Sequence, residues 1–190
     1  MDDSFFTTRP LPTHNGYTWT LPSRLGQMLI EIEGLFGERD RSWTILGIEF
    51  TSGAVPQHWF PGNNKSIVIQ LTTGVENSPV GACWELAHEA VHMLSPTGGI
   101  DASVLEEGMA VYYAKQYVRT NFGFDHPIEP VSYQEAYSLV RPIVEKYPGV
   151  IKEVRKEEST ISKINKALLL RHVPGMSEQV AQALSTQFIR

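Results

Sequence analysis

The chain has 190 residues, of which 42% are hydrophobic and 19% are charged, and its net charge is −5. This composition is typical of a folded globular domain and excludes a wholly disordered chain. The negative charge argues against nucleic-acid binding, because phosphate contacts require a basic surface. We therefore expect a single domain over residues 1–190 that does not bind nucleic acid.

The sequence favours a cytoplasmic location. Cys83 is the only cysteine, so no intrachain disulfide can form, which fits a reducing compartment. The N-terminal stretch MDDSFFTTRP is acidic, whereas a signal peptide begins with basic residues. No segment approaches the ~20 consecutive apolar residues that span a bilayer, so we expect no membrane association.

The first part of the chain, residues 1–121, mixes helical and strand patterns. Apolar residues at helical spacing predict a helix over 21–36. Two runs rich in β-branched and aromatic residues, 42–50 and 66–71, predict strands of a small mixed sheet. The stretch PGNN at 61–64 predicts the turn between them.

Two further helices carry recognisable start signals. Ser78 and Pro79 suit the N-cap and the first position of a helix that ends before Pro96. Ser103 and Glu106 match the Ser-x-x-Glu capping box, which predicts the start of the next helix.

The remainder of the chain is predicted to be helical. The stretch FGFDHPIEP at 122–130 predicts a connector, and Ser132 with Glu135 matches a second capping box that opens a helix to about Tyr147. Two or three more helices follow, interrupted at YPG and VPG. We therefore expect an α+β fold in which a helical C-terminal lobe, 130–190, follows an α/β lobe.

The stretch AHEAVHML carries the residues of a metal site. His88 and His92 lie four residues apart, so both side chains project from one face of a helix. Two imidazoles at that spacing can bind one zinc ion at about 2.0–2.1 Å. Glu89 lies beside them and can act as the general base, as in the H-E-x-x-H pattern.

A catalytic zinc needs a third protein ligand and an open fourth position. Gly98 stands where a metzincin would have its third histidine, so that class of site is excluded. Cys83 lies on the same helix as the two histidines but on a different face, so it cannot be the third ligand either. The following helix offers two carboxylates, and the capping box uses Glu106, which leaves Glu107 as the ligand. Gly108 is expected to let the metal helix and the glutamate helix approach closely.

The motif HEAVH followed by LEEGMAVYYA resembles the gluzincin metallopeptidases, above all their minimal single-domain members. The resemblance covers roughly residues 42–119. It implies a zincin-like fold with a small mixed sheet, an active-site helix and a glutamate helix. It also implies one Zn²⁺ per chain on His88, His92 and Glu107, with Glu89 as catalytic base and a peptide or protein as substrate.

The resemblance suggests two further features that the residues leave open. The strand at 66–71 is either an edge strand that pairs with the substrate backbone or an ordinary core strand. The group that stabilises the oxyanion is Tyr133, Tyr137, His126 or His172.

Two functions are compatible with these residues. The first is a zinc-dependent metallopeptidase that hydrolyses peptide bonds through a zinc-activated water, with Glu89 as general base. The second is a non-catalytic, zincin-like binding or regulatory module of the toxin or stress-response type. Turnover of a peptide distinguishes them.

Overall fold

The computed structural model describes residues 20–62, 64–98 and 102–190. These ranges contain seven α-helices: α1 (Leu21–Phe36), α2 (Pro79–His92), α3 (Val104–Phe122), α4 (Val131–Lys146), α5 (Val150–Glu157), α6 (Lys166–His172) and α7 (Glu178–Leu184). They also contain three strands: β1 (Thr44–Thr51), β2 (Gln57–Trp59) and β3 (Ser66–Thr72). The protein is therefore α+β, as the sequence predicts. Within these ranges no helix combines the length and apolarity needed to cross a membrane.

The sheet has the strand order β1-β3-β2. β1 runs parallel to β3, and β2 runs antiparallel to it, so the sheet is mixed. The two predicted strands are confirmed, whereas β2 was not predicted. Because β3 is the central strand, the alternative in which residues 66–71 form an edge strand is wrong, and β2 occupies that edge instead.

The helix start signals are partly confirmed. Ser78 caps α2 through its Oγ, which accepts a hydrogen bond from the amide of Gly81 at 3.1 Å. Ser103 Oγ likewise accepts from the Glu106 amide at 3.2 Å. The second predicted capping box is wrong, because α4 already begins at Val131 and its N-cap, Pro130, offers no side-chain hydrogen bond.

The helix that carries His88 and His92, α2, is deeply buried. Its apolar face is fully buried, and it packs between α1 and α3 and against β3. One cluster of buried apolar side chains draws members from α1, β3 and every helix from α2 to α7. The helices that follow residue 130 thus pack on the same core as the sheet and the metal helix.

Gly108 of α3 lies against α4, not against α2. A Cβ atom built at Gly108 would lie 2.4 Å from Val140 Cγ2 and 2.5 Å from the carbonyl oxygen of Ala136. The prediction that this glycine brings the metal helix and the glutamate helix together is therefore wrong. The residue instead permits the close approach of α3 and α4.

Substituting Gly108→Ala should lower the free energy of unfolding by about 1–3 kcal/mol, because the added methyl group overpacks this helix contact. At an open helical position the same change should instead stabilise the protein, by up to about 1 kcal/mol. Gly34 of α1 is exposed, with no atom within 4 Å of its built Cβ, and Gly34→Ala is the matched control. Urea denaturation of both variants checks this, and equal stabilisation by both would contradict the tight contact.

Candidate metal centre

The structure brings the three predicted ligands together at the contact between α2 and α3. The Nε2 atoms of His88 and His92 lie 3.4 Å apart. Glu107, in the first turn of α3, places Oε2 at 3.1 Å from His88 Nε2 and Oε1 at 3.8 Å from His92 Nε2. One ligand atom from each residue therefore lies within 4.8 Å of the other two.

These distances fit a zinc ion. Ligand atoms bound at about 2.0–2.1 Å in a tetrahedral site lie roughly 3.4 Å from one another. Glu107 Oε2 is buried and accepts no aligned hydrogen bond from the part of the chain that is described, although His88 Nε2 is only 3.1 Å away. A cation between these two atoms would give each of them a partner.

The charges around the site favour a cation. Burial opposes the charging of His92, but Glu107, Glu106 and Glu89 outweigh it and raise the pKa of His92 to about 10. Burial also opposes ionisation of Glu107, yet His92 and His88 outweigh it and lower the pKa of Glu107 to about 2. In the metal-free protein an imidazolium therefore supplies the positive charge that these carboxylates require.

Zinc binding at about pH 7.5 should release about one proton per chain, because His92 is charged without metal and must be neutral to bind it. Proton release is easier at higher pH, so the apparent zinc affinity should rise about tenfold per unit between about pH 6 and pH 8. Isothermal titration calorimetry in two buffers of different protonation enthalpy measures the released proton. An affinity that does not change with pH would contradict the charged state of His92.

Glu106 supports His92 instead of completing the helix cap. Its Oε1 lies 3.0 Å from His92 Nδ1, and its side chain is buried. A carboxylate on the far ring nitrogen orients a ligand histidine and raises its basicity. The capping box at Ser103 is therefore formed only on the serine side. The sequence signal for a glutamate that supports His92 was the pair of adjacent glutamates, Glu106 and Glu107, in the first turn of α3.

Glu89 lies beside the ligands and lines the same cleft. The cleft has a volume of about 370 Å³ and is lined by Glu89 and all three ligand residues. It adjoins a second hollow of about 440 Å³, and His88 lines both. The second hollow is mainly apolar and aromatic, with walls that include Val55, Val75, Trp84, Val111, Ile128 and Tyr133. The arrangement offers a base and an extended binding space next to the ligands.

Two of the four candidate oxyanion stabilisers lie near the site. The ring of Tyr133 packs edge-on against His88 with 5.7 Å between centroids, and its hydroxyl accepts a hydrogen bond from Arg190 Nε at 2.8 Å. His126 lines the second hollow and stacks on Trp84 at 4.1 Å. Tyr133 is thus the candidate closest to the ligands.

The other two candidates lie elsewhere. Tyr137 contacts the ring of Tyr112 and the guanidinium of Arg141. His172 pairs at the surface with Glu157, with 2.6 Å between Nε2 and Oε1. Neither side chain lines the metal cleft or the second hollow, so neither is placed to act on a substrate there.

One site residue was missed by sequence reasoning. His58, on β2, places Nε2 at 3.3 Å from Glu89 Oε2 and at 3.1 Å from the Glu89 carbonyl oxygen. The contact joins residues 31 positions apart, and β2 has only three residues. No local pattern signals such a contact.

No family model, curated protein or solved structure matches this chain. The resemblance to the gluzincins therefore rests on the motif residues themselves.

Proposed function

We propose that the protein is a zinc-dependent metallopeptidase of gluzincin type with a zincin-like fold. The observation that carries the proposal is the convergence of His88, His92 and Glu107 within 4.8 Å, with Glu89 in the same cleft. In this proposal α2 is the active-site helix and α3 is the glutamate helix. The donor set of two imidazoles and one carboxylate is that of hydrolytic zinc sites with an open fourth position.

His88, His92 and Glu107 would hold the zinc ion, while Glu106 holds the His92 ring in orientation. Bound zinc supplies a Lewis acid that polarises a carbonyl and lowers the pKa of water to about 7. Glu89 takes the proton from the attacking water and passes it to the leaving nitrogen. Because Glu89 follows His88 directly, its carboxylate shares the cleft without occupying a ligand position.

The substrate in this proposal is an extended peptide. β2 lies at the edge of the sheet, and its residues Gln57 and His58 line the metal cleft. An extended peptide can add to such an edge through main-chain hydrogen bonds. Tyr133, next to His88, is the residue we propose for stabilising the oxyanion.

The test combines metal analysis with a digest. After zinc loading and removal of excess metal, mass spectrometry should find about one zinc per chain, and a peptide library should be cleaved in a chelator-sensitive manner. The double variant His88→Ala, His92→Ala should lose both properties, whereas His172→Ala keeps them. Bound zinc without cleavage of any peptide would favour the non-catalytic module, and failure to bind zinc would overturn the metal site.

A further inference from the structure

His58 of β2 faces the base Glu89 across the cleft. Its Nε2 lies 3.3 Å from Glu89 Oε2 and 3.1 Å from the main-chain oxygen of the same residue. The side chains of His58 and Glu89 are only 10% and 6% exposed. One ring nitrogen therefore meets both the side chain and the backbone of Glu89, shielded from solvent.

The partners determine which nitrogen of His58 carries the proton. The carbonyl oxygen of Glu89 can only accept a hydrogen bond, so Nε2 must be the donor. The proton on Nε2 therefore points at the main chain of Glu89, and the ring packs beside its carboxylate.

The last turn of α2 explains why the Glu89 carbonyl is available. In a regular helix the amide of Met93 would donate to the oxygen of Glu89. Here the Met93 amide donates to Ala90 O at 3.2 Å, in the tighter pattern common at helix ends. His58 supplies the replacement donor, and this fixes β2 to the turn that carries the base.

We propose that His58 is a positioning residue for Glu89, resting on the role of Glu89 as base in the proposed function. Its Nε2–H holds the main-chain oxygen of Glu89, and the same nitrogen lies 3.3 Å from Oε2, so the turn and the carboxylate are held in one place beside the ligands. Restricting the rotation of a base in this way lowers the cost of reaching the reactive geometry.

Kinetics of two variants test the role. His58→Leu should lower kcat about 10- to 100-fold while KM and zinc content stay unchanged. His58→Gln, whose amide nitrogen can donate from nearly the same place, should restore most of the lost kcat. His172→Gln, a surface control paired with Glu157, should behave as the parent protein. Full kcat in His58→Leu, or no rescue by His58→Gln, would overturn the proposal.

A measurement without turnover separates this proposal from the proposed function. In metal-free protein with ¹⁵N-labelled histidine, the His58 signals should show the proton on Nε2 and should shift in Glu89→Gln but not in Glu85→Gln. A proton on Nδ1, or signals indifferent to Glu89, would overturn the His58 contact even in an active enzyme. If the metal-free protein shows the proton on Nε2 but the zinc-loaded protein cleaves no peptide, the proposed function is overturned. His58 would then be only a structural link between β2 and α2.

Discussion

Substituting Glu89→Gln should leave zinc bound and lower kcat by about 10²- to 10⁴-fold, the range that a positioned general base contributes. The amide has the shape of the carboxylate, and His58 Nε2 donates to the main-chain oxygen of this residue, so the cleft should keep its structure. The amide cannot take a proton from the attacking water, and the defect should therefore appear in kcat and not in KM.

The control for this variant is Glu85→Gln, one helical turn earlier on α2. The Glu85 carboxylate accepts from the Thr72 amide at 2.8 Å and from the Thr72 hydroxyl at 2.7 Å. Its replacement removes a carboxylate from the same helix and leaves the base in place, and kcat should fall far less than in Glu89→Gln. Equal rates for Glu89→Gln and the parent would remove Glu89 from the mechanism.

Substituting Arg155→Met should lower the free energy of unfolding by at least about 3 kcal/mol, because several buried acceptors lose a charged donor at once. Arg155 is only 6% exposed. Its guanidinium donates at 2.9–3.2 Å to five main-chain carbonyls, those of Phe36, Gly37, Glu38, Leu94 and Ser159. These carbonyls belong to the last residue of α1 and to the segments that follow α1, α2 and α5, so one side chain joins three helix ends.

Urea denaturation of three variants checks this result. Arg155→Lys should also be destabilised, since one ammonium group cannot reach acceptors that a planar guanidinium serves together. Arg141→Met is the control: Arg141 is 52% exposed, lies 3.9 Å from Glu145, and should contribute less than about 1 kcal/mol. If Arg155→Met were as stable as Arg141→Met, the carbonyl cluster would not hold these helix ends.

The elements with strong local signals could be predicted from the sequence. The helix at 21–36 has the predicted bounds, because its apolar spacing and its end signals agree. His88, His92 and Glu107 could be predicted as one cluster because the two histidines are spaced by one helical turn and the next helix begins with glutamates. Local rules were sufficient wherever one short segment contained the whole signal.

The missed features depend on contacts between distant segments. β2 has three residues, and its pairing with β3 is what makes it a strand. Glu106 matched a local capping pattern, but its side chain pairs with His92 instead of with the helix N-terminus. Gly108 was assigned to the wrong neighbour, since a glycine indicates close approach without indicating which helix approaches. In each case tertiary contacts decided between alternatives that the local sequence allowed.

The packing of Gly108 against α4 has a consequence for the metal centre. Glu107 and Gly108 are consecutive, so one turn of α3 presents a ligand to α2 and a backbone contact to α4. α4 also places Tyr133 beside His88. A shift of α4 would therefore be transmitted to the carboxylate ligand through a rigid helical turn. α4 therefore supports the candidate metal site from outside, and if zinc binds there, its affinity should change when the packing of α4 is weakened.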